Sequence, residues 1–215
     1  MAPASSATVI LIPGLWMPAA VLLPWQWRLQ AAGHAVRRFA YPSWRNGLAA
    51  NVEALARCLA DTPGRPIHLV GHSLGGLLIL SLLARGRDEG LGRLGRAVLL
   101  GSPALGSHAA ARLAASAWGA RLVGRSLADW LAAPSPTLPP GIEAGVIAGT
   151  RSLGLGRLLG GLPRPNDGAV AVTETRLPGA ADFITLPVSH SGMLLSAACA
   201  TQVTHFLAQG HFRHD

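Results

Sequence analysis

Between an apolar, β-branched run (Ile67–Gly71, IHLVG) and an apolar helical run (Gly75–Arg85, GGLLILSLLAR) stands a single serine, in LVGHSLGG (Leu69–Gly76). Few local sequences constrain a fold as tightly. A strand that turns into a helix within two residues brings backbone against backbone, and Gly71 and Gly75 remove Cβ atoms that would clash there. The turn lifts Ser73 above the sheet edge. The helix start behind it supplies unpaired N–H groups and the positive end of a dipole. A serine acting only as an N-cap meets the same helix start, but it requires neither the flanking glycines nor a buried strand before it.

The rest of the chain extends the pattern. Thr8–Ile12 (TVILI) is continuously apolar, as strands buried on both faces are, and Pro13-Gly14 ends it. Val36–Tyr41 is a second predicted strand, followed by a helix in which Asn51 is the predicted cap of NVEALARCLAD. Ala97–Leu100, Glu143–Ala148 and Asp182–Val188 are further predicted strands, and Met193–Gln209 a closing helix. Strands alternating with helices predict an α/β protein with a mostly parallel sheet covered on both sides. Two stretches interrupt the alternation beyond the C-terminal ends of strands: Ser107–Pro140, a helical pattern ending in prolines, and Arg151–Pro165, rich in Gly, Leu and Arg. Residues 1–215 are expected to form a single domain, with 107–140 as an inserted helical cap over the site.

Composition excludes several partners. The formal charge of +8 comes from 18 basic residues, all arginine, scattered without a dense tract, which argues against nucleic acid. The hydrophobic fraction is 50% and the mean hydropathy +0.36. No apolar segment reaches the roughly 18 residues of a membrane span, so no stable membrane insertion is expected. The start, MAPASSATVILIPG, has no charged n-region, and no signal peptide is expected. Cys58 and Cys199 lie far apart on helical patterns and fit a reducing, cytoplasmic setting. Histidine and cysteine spacing predicts no metal site, and the oligomeric state is left open.

GHSLGG between that strand and that helix resembles the nucleophile elbow of the α/β-hydrolase superfamily. The order of elements along the whole chain is similar to that fold, and most similar to compact bacterial serine esterases and lipases. The resemblance implies an α/β-hydrolase fold of about six strands, a catalytic triad, an oxyanion hole and no cofactor. Its chain order is nucleophile, acid, histidine. His190, in LPVSHSGM between the last strand and the last helix, stands where that fold places its base; His108, His205, His211 and His214 do not. Eight carboxylates follow Ser73. Asp167, on the turn-forming PNDGAV, is similar to the acid loop of several bacterial lipases and is the first choice. It stands 19 positions beyond Ala148, past the Gly/Leu/Arg insertion, so Glu174 and Asp182 remain alternatives.

The implied oxyanion donors are the backbone N–H of Leu74 and that of Leu15, with Trp16 a weaker candidate for the second. The loop reads Pro13-Gly14 where many relatives have histidine-glycine. Trp16, Met17, His72 and Met193 are the expected substrate contacts, with Leu194, Trp44, Trp118 and Trp130 adding apolar area; Trp25 and Trp27 read as packing. Together these residues predict a serine hydrolase that cleaves small-molecule carboxylic esters with an apolar acyl group. Thioesters, amides or acyl transfer would use the same residues. A non-catalytic binding protein on the same fold is the second class of reading, and it ordinarily carries a broken triad.

Overall fold

The computed structural model describes residues 7–85, 91–115, 117–133, 137–154 and 161–214. Six parallel strands form one sheet: β1 (Thr8–Ile12), β2 (Ala35–Arg38), β3 (Ile67–His72), β4 (Leu94–Leu100), β5 (Ala144–Gly149) and β6 (Asp182–Leu186). Their spatial order is β2-β1-β3-β4-β5-β6. The chain therefore reverses its direction of travel between β1 and β3, the switch point at which parallel sheets open a crevice beyond their C-terminal ends. Strands β1, β3 and β5 are buried along their whole length, while the edge strands β2 and β6 carry exposed positions.

Among the described residues the helices are α1 (Leu23–Ala31), α2 (Leu48–Ala60), α3 (Leu74–Leu83), α4 (His108–Ala114), α5 (Ala117–Ala132, kinked at Gly124), α6 (Val172–Thr175) and α7 (Ala197–Gln209). Alternate strand residues feed two cores. Ile10, Ile12, Leu69, Leu99 and Val146 pack with Leu55 of α2 and Leu77 of α3 on one face. Val9, Leu11, Val70, Val98 and Ile147 pack with Trp25 of α1 and Phe206 of α7 on the other. The two-residue period of a strand divides the apolar side chains between these layers.

Several expectations are corrected at element boundaries. Helix α2 begins three residues before Asn51, after Gly47, and the carboxylate of Asp129 on α5 accepts from the Leu48 N–H at 2.8 Å. Asn51 is instead fully buried and donates through Nδ2 to Ser126 Oγ at 2.7 Å, tying α2 to α5. A tertiary carboxylate has taken over the capping that local propensity assigned to Asn51. The closing helix is interrupted: a 3-10 turn at Ser191–Leu194 precedes α7, which starts afresh where Ser196 Oγ accepts from the Cys199 N–H. Trp27 is 63% exposed, so only Trp25 of that pair is packing.

Backbones approach closely at the β3–α3 turn. A Cβ on Gly75 would meet the carbonyl oxygens of Ile12 and Pro13, and one on Gly71 would lie 2.5 Å from the Gly76 nitrogen. Both glycines are required by this close approach. Gly75→Ala is expected to cost about 1–3 kcal/mol in urea unfolding, as overpacking does. Gly92→Ala, facing open space among the described residues, serves as the neutral control. Equal midpoints for the two variants would contradict the packing described.

Strand β3 also buries two histidines. Burial, and secondarily the charges of His34 and Arg96, pushes His68 down to about 4. Burial, and secondarily the neighbouring His190, pushes His72 down to about 3. Between these values and the ordinary 6.5 the unfolded chain binds protons that the folded chain refuses. The stability they contribute is fully present above pH 6.5 and is lost as pH falls below it. Unfolding free energy from urea titrations is expected to decline progressively from pH 6.5 to 4.5; a flat profile across that window would contradict the burial of both rings in neutral form.

Candidate active site

Ser73 occupies φ 54°, ψ −120°, a conformation that side chains rarely adopt. Such a position costs of order 1–3 kcal/mol and persists only where surroundings over-determine it. Here the Ser73 N–H donates to the Leu100 carbonyl at 2.9 Å, and the Ser73 carbonyl accepts from Gly76 N–H at 3.0 Å. The side chain makes no cap bond to α3, which separates it from an ordinary helix-capping serine.

The loop after β5 and the loop after β6 meet beside it. His190 Nδ1 lies 2.8 Å from Asp167 Oδ2, and the Asp167 side chain is 1% exposed. Its other oxygen, Oδ1, accepts from the N–H groups of Ala169 (2.9 Å) and Val170 (2.7 Å). The backbones are tied as well, with the His190 N–H donating to the Asp167 carbonyl at 2.8 Å. A carboxylate whose second oxygen is fixed by two amides cannot rotate away from the imidazole it faces. Gly101, at φ 56°, makes room for the pair: a Cβ there would stand 3.0 Å from Asp167 Oδ2 and 3.1 Å from His190 Nδ1.

The two alternative acids are engaged elsewhere. Glu174 is buried, and its Oε1 accepts from the N–H of His108 and lies 2.7 Å from His108 Nδ1. Its Oε2 accepts from the Ala171 N–H at 2.6 Å. It joins the start of α4 to the end of the Asp167 loop. Asp182, at the opposite end of the sheet, accepts from Phe183 and Phe212 N–H groups and pairs with His214 Nε2. Neither partner was visible in sequence, because His108 stands 66 positions from Glu174.

On the other side of Ser73, the loop after β1 runs beneath the same opening. Trp16 sits at φ 58°, and its N–H donates to Ser43 Oγ at 3.0 Å. That N–H is therefore committed. The Leu15 N–H meets no acceptor among the described residues, and the Leu74 N–H is the first of α3, ahead of the intrahelical ladder. His72 lies underneath, with its ring centroid 4.6 Å from that of His190. Since burial keeps its ring neutral, Nε2 at 3.0 Å from the His190 carbonyl is placed to donate. That bond clips the His190 loop to the β3–α3 turn.

Ser73 and His190 open on one cavity of about 160 Å³, lined also by Trp16, Leu77, Leu113, Val123, Leu127 and Val170. Helices α4 and α5, within the segment expected as a cap, supply three of these. Trp16 stands at the lip, 52% exposed. Three expected substrate contacts do not line the cavity. His72 is 1% exposed beneath His190; Met193 is fully buried, with its carbonyl accepting from Trp25 Nε1; and Met17 packs against the core on the α1 side. Leu194 is in that core too, and Trp130 packs in the core between the sheet and α2. Trp44 is 45% exposed outside the cavity, and the side chain of Trp118 lies outside what is described. The contacts from Ala169 and Val170 of the acid loop were not foreseen; the only signal was their position one turn beyond Asp167. Among the described residues no group of three metal-binding side chains is assembled, and no helix is long and apolar enough to cross a membrane.

Solved structures with this architecture include mature Bacillus licheniformis lipase, 20% identical, covering 97% of this chain and 93% of its own, with a TM-score of 0.75. A metagenomic carboxyl esterase is 20% identical over 88% of this chain and 66% of its own, with a TM-score of 0.65. The RedJ thioesterase of the prodiginine pathway of Streptomyces coelicolor is 19% identical over 96% and 86%, with a TM-score of 0.59. At such identities the likeness speaks to the fold. No curated protein matches the chain. The model of the family described as Alpha/beta hydrolase family matches residues 9–212. That span runs from the first strand past the last helix and takes in Ser73, Asp167 and His190 together, and by it the chain belongs to the alpha/beta hydrolase family.

Proposed function

We propose that the protein is a serine hydrolase that cleaves carboxylic esters through an acyl-enzyme on Ser73. The observation that carries this reading is the 2.8 Å contact of Asp167 Oδ2 with His190 Nδ1, at the mouth of an apolar cavity that also holds Ser73. With Nδ1–H donated to Asp167, the lone pair of His190 is on Nε2. It takes the Ser73 proton as Oγ attacks the ester carbonyl. The tetrahedral oxyanion is received by the N–H groups of Leu74 and Leu15. Collapse expels the alcohol, to which His190 returns the proton, and water then hydrolyses the acyl-Ser73 by the same relay. Asp167 orients the imidazole and stabilises its charged form, and His72 is a positioning residue acting through the His190 main chain.

Helices α4 and α5 act as the cap in this reading, and the Glu174–His108 contact holds it against the acid loop. The apolar cavity lining supports an uncharged acyl group. The lipase, esterase and thioesterase among the similar structures are consistent with acyl transfer from oxygen or sulfur, and the ester is the reading proposed.

Hydrolysis of p-nitrophenyl butyrate by single variants tests the roles. Ser73→Ala is expected to lose several orders of magnitude in kcat. In Asp167→Asn the amide oxygen keeps the bonds from Ala169 and Val170, which turns the NH2 toward His190 and favours the wrong tautomer. A loss of about 10⁴-fold in kcat is expected, with little loss of stability. Glu174→Gln is expected to leave the rate nearly unchanged. A damaging Glu174→Gln beside a silent Asp167→Asn would overturn the assignment of the acid, and an active Ser73→Ala that of the nucleophile.

A further inference from the structure

The cavity beside Ser73 has a buried, apolar floor. Leu77 at its floor is fully buried, with Leu78 and Leu80 of the same helix buried around it, and Val123 of α5 is 1% exposed. Val170, 5% exposed, forms the wall on the Asp167-loop side, and half-buried Ala109, Leu113 and Leu127 line the side of α4 and α5. Apart from His190, no ionisable side chain lines it among the described residues. The acid-loop wall is itself held, since Val170 N–H donates to Asp167 Oδ1 and Ala171 N–H to Glu174 Oε2.

Volume then decides what enters. A dry apolar cavity of about 150 Å³ accommodates benzene, a body of about six carbons. The present cavity, at about 160 Å³, offers the same room. Deeper entry of a longer chain would have to displace Leu77 and Val123, both buried in a close-packed core. We infer that the cavity is an acyl-chain site sized for short acyl groups, butanoyl to hexanoyl, with Leu127 and Ala109 setting its length. This rests on the ester-hydrolase reading above and adds the substrate class to it. An alkyl chain of that size buries its methylenes against the apolar lining, whereas the tail of a dodecanoyl group would be left in water or would force the cap open.

The test is a series of p-nitrophenyl esters from acetate to dodecanoate, with the wild type and three variants. For the wild type, kcat/KM is expected to peak at butyrate or hexanoate and to be at least about tenfold lower for dodecanoate. Leu127→Ala, which enlarges the cavity, is expected to move the peak to octanoate or longer. Ala109→Leu, which fills it, is expected to move the peak to acetate; either variant alone suffices if the other fails to fold. A wild-type peak at decanoate or longer, or a peak unmoved in every folded variant, would overturn the acyl-site assignment while leaving the hydrolase reading intact. Turnover of every ester undiminished in Ser73→Ala would overturn both.

Discussion

The site rests on a backbone collision that two glycines prevent. At the end of β3 the chain folds back so closely that Gly75 lies against the Ile12 and Pro13 carbonyls where β1 ends, and Gly71 against Gly75 and Gly76. Side chains are excluded from both sides of the turn, and Ser73 between them is driven to a positive φ. The strain is local and its support is not: the Ser73 N–H is held by the end of β4, within a sheet whose strands β1, β3 and β5 are buried along their whole length. A rigid parallel sheet holds one residue in a conformation that it would not adopt alone.

Two loops converge on that point, and each is held by bonds of its own. The Asp167 carboxylate is set by its own turn, through the Ala169 and Val170 amides, and His190 then attaches to it twice, by ring and by main chain. His72 adds a third attachment from below. Small residues make this convergence possible: Gly101 leaves space for the Asp167–His190 pair, and a Cβ on Gly149 would fall 2.7 Å from Asp167 Cβ and Met193 Cε. Met193, expected at the substrate, supports the pair from the core instead.

The fold, and the approach of Ser73 and His190 to one opening, were legible in the sequence because their signals are local. A continuously apolar strand, a glycine-flanked serine and an apolar helix are adjacent in the chain, and His190 follows the last strand directly. Asp167 was harder, since Asp167 and Glu174 are both buried acids in one short interval. What distinguishes them is tertiary: Asp167 meets His190 and Glu174 meets His108. Asn51 misled for the same reason, its capping role having passed to Asp129, and so did the tryptophans, whose sequence positions do not tell which face they turn to. Only the three-dimensional contacts separate Trp130 in the core, Trp16 at the lip and Trp27 in solvent.

The central claim is that Ser73 is a nucleophile made reactive by His190 and Asp167. The most direct measurement is the reaction of the folded protein with a small fluorophosphonate, followed by intact mass and by mapping of the modified peptide. One adduct per chain, located on Ser73, is expected, with the second-order rate of labelling greatly reduced when His190 is replaced by Ala. Folded protein that takes up no adduct, or that carries it on another residue, would contradict the account.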